Sequence, residues 1–332
     1  MTTTTADSKW LDAVTRAEID ELLERDDRRS WLSLATNWGL IAAAFALVAW
    51  APNPFTIVVA LAVIGGRQLG LAVLMHEAAH RTLFANRRVN DWVGNWLAAF
   101  PVWGDLRPYR PYHLQHHAKT GTAEDPDLGL AAPFPVTRAS LRRKIWRDLS
   151  GQTGWKRAKA TFQRDMGISR GRAARGGDAG ITSLHGVIIT NVVLLAVLTL
   201  AGHPFVYLLW PAAWLTTYSL VMRIRSIAEH GMVPDQTDAM GNTRTTLVRW
   251  WERLLIAPNL VNYHLEHHLL MTVPHYNLPR MHRLLRERGL LDRACVTRGY
   301  LEVLRLASSR PDSDAAPSPA PSESSLTLRP PF

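Results

Sequence analysis

The chain has 332 residues and one cysteine, Cys295. One thiol cannot close an internal disulfide, complete a cysteine-ligated zinc site or hold an iron–sulfur cluster. No His-Pro-Gly-Gly haem-binding signature occurs, no G-x-G-x-x-G follows a strand-like run, and no internal repeat is found. A fused redox or dinucleotide-binding module is therefore not expected. Charge is scarce in places too. Mean hydropathy is close to zero, as in a soluble protein, but residues 32–51, 181–202 and 205–222 carry no charge and residues 55–75 carry only Arg67.

Runs of about 20 apolar residues match the ~30 Å hydrocarbon core of a bilayer. The sequence thus predicts an all-α integral membrane protein with four spans in two hairpins. The hairpin turns, Pro52-Asn53-Pro54 and His203-Pro204, contain no Lys, Arg, Asp or Glu. The other ends are flanked by Arg28, Arg29, Arg81, Arg87, Arg88, Asp178, Arg223 and Arg225. Lys and Arg favour the cytoplasmic side, so the turns face outward and both termini face the cytoplasm, in the inner membrane if the cell is bacterial. The first thirty residues are too charged for an ordinary signal peptide. Residues 92–103 would make a helix of about 18 Å, too short to cross, and read as an interfacial or re-entrant piece. Trp92, Trp96 and Trp103 then form an interfacial aromatic belt. Arg67 would cost ~3 kcal/mol at the centre of a span, so it is expected to snorkel or to pair inside the bundle.

The predicted organisation is a cytoplasmic segment at 1–31 with a surface helix near 16–25, a membrane domain at 32–290, a C-terminal cytoplasmic segment at 291–307 and a tail at 308–332. The tail is rich in Ser, Pro and Ala and is expected to be disordered. A basic loop occupies 138–178; between 138 and 175 it has twelve Lys/Arg against two Asp, interleaved with Trp146, Trp155 and Phe162. It reads first as an amphipathic segment on anionic lipid and second as a docking face for an acidic electron carrier. No nucleic-acid recognition motif accompanies the charge, so nucleic acid is not an expected partner.

Against this background stand eight clustered histidines: His76 and His80 in H-E-A-A-H, His113, His116 and His117 in H-L-Q-H-H, and His264, His267 and His268 in H-L-E-H-H. Spacings of three and four put each cluster on one face of a helical turn. A catalytic zinc takes three protein ligands and a structural zinc about four, so eight imidazoles imply two ions. Imidazole without thiolate suits iron, copper, nickel or zinc.

H-x-x-x-H, H-x-x-H-H and H-x-x-H-H, in this order with two apolar hairpins, resemble the membrane fatty acid desaturase and hydroxylase superfamily. The likeness covers residues 32–285 and extends to Glu124-Asp125-Pro126-Asp127 and to Asn262-Tyr263 before the third box. The resemblance implies a cytoplasmic helical cap holding a non-haem di-iron centre that uses dioxygen and two electrons to attack an unactivated C–H bond. It implies a ninth ligand after the fourth span, His230 in this chain. From acyl-CoA desaturases it implies one iron on His76, His80, His113, His116 and His267, and the other on His117, His230, His264 and His268. Those enzymes have an asparagine four residues before the ninth histidine, where this chain has Ser226. Outer partners that orient the rings are expected among Glu77, Asp125, Asp127, Ser226, Glu229 and Glu266. The implied substrate is a lipid acyl chain, with electrons from a separate ferredoxin or cytochrome b-type protein and its reductase.

Other readings remain on the same residues. A hydroxylase or a ketolase of a lipid or carotenoid would use the same scaffold, since substrate position near the metals decides the outcome. H-E-A-A-H alone is also a zinc metalloprotease pattern with Glu77 as general base, but a protease offers no role for six further clustered histidines. A non-catalytic metal-storage or haem-handling protein is a third reading. His185, His203, His275 and His282 stand singly and are expected at the surface or interface.

Overall fold

The computed structural model describes residues 10–131, 133–167, 184–236 and 238–311. The expected tail from 312 onward, and 168–178 of the basic loop, lie outside the described residues. What is described is mostly helical.

Helix α1 (Arg16–Leu23) opens on a Thr15/Glu18 capping box. Helix α2 (Asp27–Trp50) starts where the Asp26 carboxylate accepts the amides of Arg28 and Arg29. A three-residue turn follows. Asn53 and Thr56 exchange capping bonds with Pro54 at the first helical position, so α3 (Pro54–His80) begins at once. At 27 residues, α3 is about 40 Å long, against a ~30 Å hydrocarbon core. It is thus longer than a single crossing needs, and His76 and His80 lie on its last turns.

The expected piece at 92–103 is broken: α4 (Arg87–Val93) runs into the wider turns of Gly94–Ala99 and the tight turn Phe100–Val102. Helix α5 (Leu106–Lys119) carries the second histidine cluster. Helices α6 (Leu128–Ala131), α7 (Arg138–Leu149) and α8 (Gln152–Asp165) follow. Then comes α9 (Leu184–Leu200), at 17 residues, about 26 Å long. The segment Pro204–His230 is a short tight turn, α10 (Leu209–Leu215) and α11 (Thr217–His230), broken at Thr216. By length and composition, α2, α3 and Pro204–His230 can each cross a membrane, and α9 is a shorter apolar helix.

Strands β1 (Arg244–Leu247) and β2 (Cys295–Arg298) pair in parallel, from Arg244 with Cys295 to Leu247 with Arg298. Helices α12 (Trp250–Leu255), α13 (His264–Leu269), α14 (Leu278–Glu287) and α15 (Tyr300–Ala307) complete the chain. Tyr300, Val303 and Ala307 of α15 belong to the main core. The N-terminal residues likewise pack, through Trp10, Val14 and Leu22, on Val273, Met281 and Leu285.

Helix α3 is the centre of the bundle. Its second half is buried on nearly every side, as a helix apolar all round must be. Glycines let neighbours reach its backbone: Gly65 lies against Thr217 and Tyr218, Gly66 against Leu255 and Gly70 against Asn37. Arg67 is 4% exposed and pairs inside the bundle. Its guanidinium donates to the carbonyls of Arg253 and Leu254 at the end of α12.

A Cβ at Gly65 would collide with Thr217 Oγ1 and stand 2.8 Å from the Tyr218 amide, whereas one at Gly39 would meet nothing within 4 Å. Gly65→Ala is expected to destabilise the protein by about 1–3 kcal/mol, read as a lower Tm in detergent. Gly39→Ala should stay within about 1 kcal/mol of the parent.

Candidate metal centre

Four helices bring nine imidazoles together, and their donor nitrogens form two groups, each with all nitrogens within 4.8 Å of one another. His76, His80, His113, His117 and His267 make the first; His116, His230, His264 and His268 make the second. The division implied by acyl-CoA desaturases had His116 in the first group and His117 in the second, and in this geometry the two are exchanged. Helical spacing gives the reason. Residues four apart stand close above one another, while the residue at i+3 is rotated to the opposite flank. Thus 76/80, 113/117 and 264/268 each stay in one group, and His116 and His267 cross to the other.

The ring contacts test whether a cation fits. Nε2 of His113 is 2.9 Å from Nε2 of His80 and 3.0 Å from that of His117, which is 3.0 Å from that of His267. In the second group, Nε2 of His264 and His230 are 2.8 Å apart. A ring nitrogen offers one proton or one lone pair in its plane, so His113 and His117 cannot make two straight hydrogen bonds through one atom. With metal–nitrogen bonds of about 2.0–2.1 Å, neighbouring ligands on one ion lie roughly 2.9 Å apart and opposite ones roughly 4.2 Å. The groups have that size. Both ring nitrogens of His76, Nδ1 of His267 and Nε2 of His268 are buried without a hydrogen-bond partner among the described residues. Burial, and then the charge each ring would feel from the others, holds His113, His117, His264, His267 and His268 well below the ordinary imidazole range. These rings stay neutral and keep lone pairs free for a cation.

Behind the rings stand the groups that aim them. Nδ1 of His116 donates to Asp125 Oδ1 at 2.7 Å. Burial alone would raise the Asp125 carboxyl, but the His116 bond and the amides of Asp127 and Gly121 hold it below its usual value. Asp127 is more remote, 3.9 Å from His116 Nδ1, and accepts the Tyr112 hydroxyl at 2.5 Å. Glu229 faces His264 Nδ1 at 3.5 Å and is held by Arg225 Nε at 2.6 Å. Glu77 lies 3.4 Å from His76 Nδ1 and accepts the Thr82 hydroxyl and the His275 amide at 2.9 and 3.0 Å. Two of the expected partners point elsewhere. Glu266 accepts from His282 Nδ1 and Thr245 Oγ1, each at 2.5 Å, and so fastens α13 to its neighbours. The Ser226 hydroxyl bonds back to the Met222 carbonyl at 2.9 Å.

His275 and His282, expected at the surface or interface, are 2% and 7% exposed. Each sits against a buried carboxylate, His275 on Glu77 at 3.5 Å and His282 of α14 on Glu266 at 2.5 Å. Tyr109, whose ring stacks on His113 at 5.2 Å, and Thr120, 3.3 Å from His268 Nδ1, were not singled out in the sequence. Tyr109 is four residues before His113, so helical spacing could have found it.

A family model described as fatty acid desaturase matches residues 49–299. The dihydrorhizobitoxine desaturase of Bradyrhizobium elkanii is 28% identical over 79% of this chain and 76% of its own length. The sn-1 oleoyl-lipid 12-desaturase of Synechocystis is 23% identical over 80% of this chain and 78% of its own. The beta-carotene ketolase of Paracoccus sp. (strain PC1) is 26% identical, covering 75% and 86%.

Removing the Glu77 carboxylate leaves the His275 amide buried without its acceptor, while the Thr82 hydroxyl keeps the carbonyl of residue 77 at 3.0 Å. Glu77→Ala is therefore expected to lower the stability of metal-free protein by about 1–3 kcal/mol, seen as a reduced Tm, with Glu77→Gln recovering part. An unchanged Tm in metal-free Glu77→Ala would refute this scaffolding role.

Proposed function

We propose a reaction from one premise: the chain belongs to the fatty acid desaturase family. It is a membrane-bound, desaturase-like oxidoreductase, and on our reading it introduces a double bond into a lipid acyl chain. The observation that carries this is the convergence of nine imidazoles into two cation-sized groups.

The two groups would hold two iron ions, five histidines on one and four on the other. When bound, these ions would supply the two-electron activation of dioxygen that hydrogen removal from an unactivated methylene requires. The chain's own residues do the rest. Asp125 and Glu229 fix the ring planes of His116 and His264. Tyr109, stacked on His113 at 5.2 Å, would present an aromatic wall beside the centre that helps keep water from it. Placement of the methylene against that wall selects its position along the acyl chain. Electrons would arrive from a separate ferredoxin or cytochrome b-type protein with its reductase.

On this reading α2, α3, α9 and Pro204–His230 are the four spans, the turns at 51–53 and 201–203 face outward, and the termini and histidines lie on the cytoplasmic side, in the inner membrane of a bacterium. Residues 32–290 are then the membrane domain, with its helical cap built from α5 and α12–α14.

The similarity to a beta-carotene ketolase supports a second reading, oxygen insertion into a terpenoid or lipid on the same scaffold. Mass spectrometry of lipids from an expressing host separates the two. Desaturation removes two hydrogens and no oxygen enters, and a product heavier by one oxygen atom defeats it. Purified protein is expected to retain two iron ions per chain. Asp125→Asn should weaken metal retention by about 10–100-fold, measured as iron content after chelator dialysis.

A further inference from the structure

We infer that the α7–α8 hairpin is a membrane-surface anchor that seats on anionic lipid head groups. The inference rests on the membrane placement of the long helices and not on the reaction proposed above.

Its outward face carries cations alone. From Arg138 to Asp165 there are nine Lys/Arg and two Asp, and both acids turn inward. Asp148 is fully buried and takes Arg223 of α11 at 2.5 and 2.9 Å. Asp165 is buried too, and receives Trp103 Nε1 at 3.3 Å and Arg164 at 2.9 Å. Arg142, Arg143, Lys156 and Lys159 stay exposed. Among them stand large apolar side chains: Trp146 and Trp155 are each 67% exposed, Phe162 47% and Met166 53%. Trp155, Phe162 and Met166 follow one edge of the helix at i, i+7 and i+11, with Lys156 and Lys159 beside them. In water such a stripe is costly. At a bilayer interface the rings enter the head-group zone while lysine stems reach the phosphates.

The apolar stripe is also continuous with a membrane helix. Trp155 shares the wall of a cavity of about 350 Å³ with Val187 and Ile188 of α9 and with Trp214. Helix α9 exposes Ile188, Val192 and Val193 outward. An acidic soluble protein docked over Trp155 would have to cover surface that the bilayer already covers. The hairpin is fixed in this orientation rather than tethered. Gly154 sits directly on the Leu215 backbone, and Arg157 donates to the Trp214 carbonyl at 2.9 Å while lying over the Trp214 ring at 4.1 Å.

The test uses the full chain in bilayer discs of phosphatidylcholine with and without phosphatidylglycerol. In a Cys295→Ser background, Trp155→Cys, Phe162→Cys and, as a reference, the exposed Ser309→Cys carry an environment-sensitive fluorophore. Labels at 155 and 162 should be quenched by nitroxides on lipid chains and shielded from aqueous iodide, with the opposite at 309. Equal iodide quenching at all three sites overturns the inference. Each cation near an anionic surface strengthens attachment by about fivefold. The variant Arg142→Glu/Arg143→Glu/Lys156→Glu/Lys159→Glu should therefore lose the enrichment of phosphatidylglycerol among lipids that co-purify with the parent, with helical content retained. If it instead keeps that enrichment and only slows reduction by an acidic electron carrier, the face belongs to a protein and the inference falls. Neither readout depends on turnover, so failure of the proposed reaction would leave the result intact.

Discussion

Guanidinium groups seated on the carbonyl ends of helices decide where the histidine-bearing segments stop, and the centre exists only because those stops coincide. Arg110 of α5 donates to the Ala78 and Ala79 carbonyls, the last turn of α3, each at 3.0 Å. Arg244 of β1, 1% exposed, does the same for α11 through the Ala228 carbonyl at 2.9 Å and the Met232 carbonyl at 3.0 Å. Helix C-termini leave unpaired carbonyls with partial negative charge, and a planar fork of donors answers several at once. Helix α3 and the segment Pro204–His230 each rise for 27 residues from a hairpin turn. An arginine from outside the segment closes each. His80 and His230 are the terminal residues of those helices.

This constraint explains what could be read in the sequence and what could not. The apolar runs at 32–51 and 55–75 announced α2 and α3, because absence of charge over that length has few other causes. Their ends were less legible: α2 reaches back to Asp27 and α3 on to His80, since capping by Asp26 and Arg110 extends helices beyond their apolar stretch. The three boxes were visible because imidazoles at helical spacing form a local pattern. Spacing separates His116 from 113/117 and His267 from 264/268, but which rings of the other helices each then joins depends on how α5 and α13 face one another, which no local spacing encodes. Nor did the sequence reveal that His275 and His282 are buried. A lone histidine looks the same whether or not a carboxylate from another element covers it. Glu266 misled for a related reason: it sits inside H-L-E-H-H, yet its position on the helix turns it to Thr245 and His282.

The crossing of His116 and His267 has a structural consequence. Helix α5 gives two nitrogens to the first group and one to the second, and α13 does the reverse. Neither group can close unless both helices are docked, so assembly of one brings the other to completion. Helix α3 contributes only to the first group and α11 only to the second. Helices α3 and α11 thus set the distance between the groups while α5 and α13 tie them together. Arg110 joins these roles physically, because it belongs to α5 and grips the end of α3.

Charge is arranged in shells around this point. The innermost layer is imidazole, a ligand that adds no negative charge, so ions held there would keep their positive charge and their pull on electrons. Carboxylates come next: Asp125 is bonded to an imidazole nitrogen, and Glu77 and Glu229 face one at 3.4 and 3.5 Å. Arg225 in turn balances Glu229. Beyond the carboxylates the surroundings divide. A polar cavity of about 230 Å³, lined by Asp125, Asp127, His230 and Gln236, reaches the second group. Elsewhere an apolar cavity beside Trp155 is lined by Trp214, whose ring stacks on Tyr218 at 6.3 Å. The two cavities share no lining residue, so the polar and the apolar surroundings stay apart. A site able to attack methylene groups needs that separation, because an oxidant strong enough for hydrocarbon is quenched by any easier donor that reaches it first.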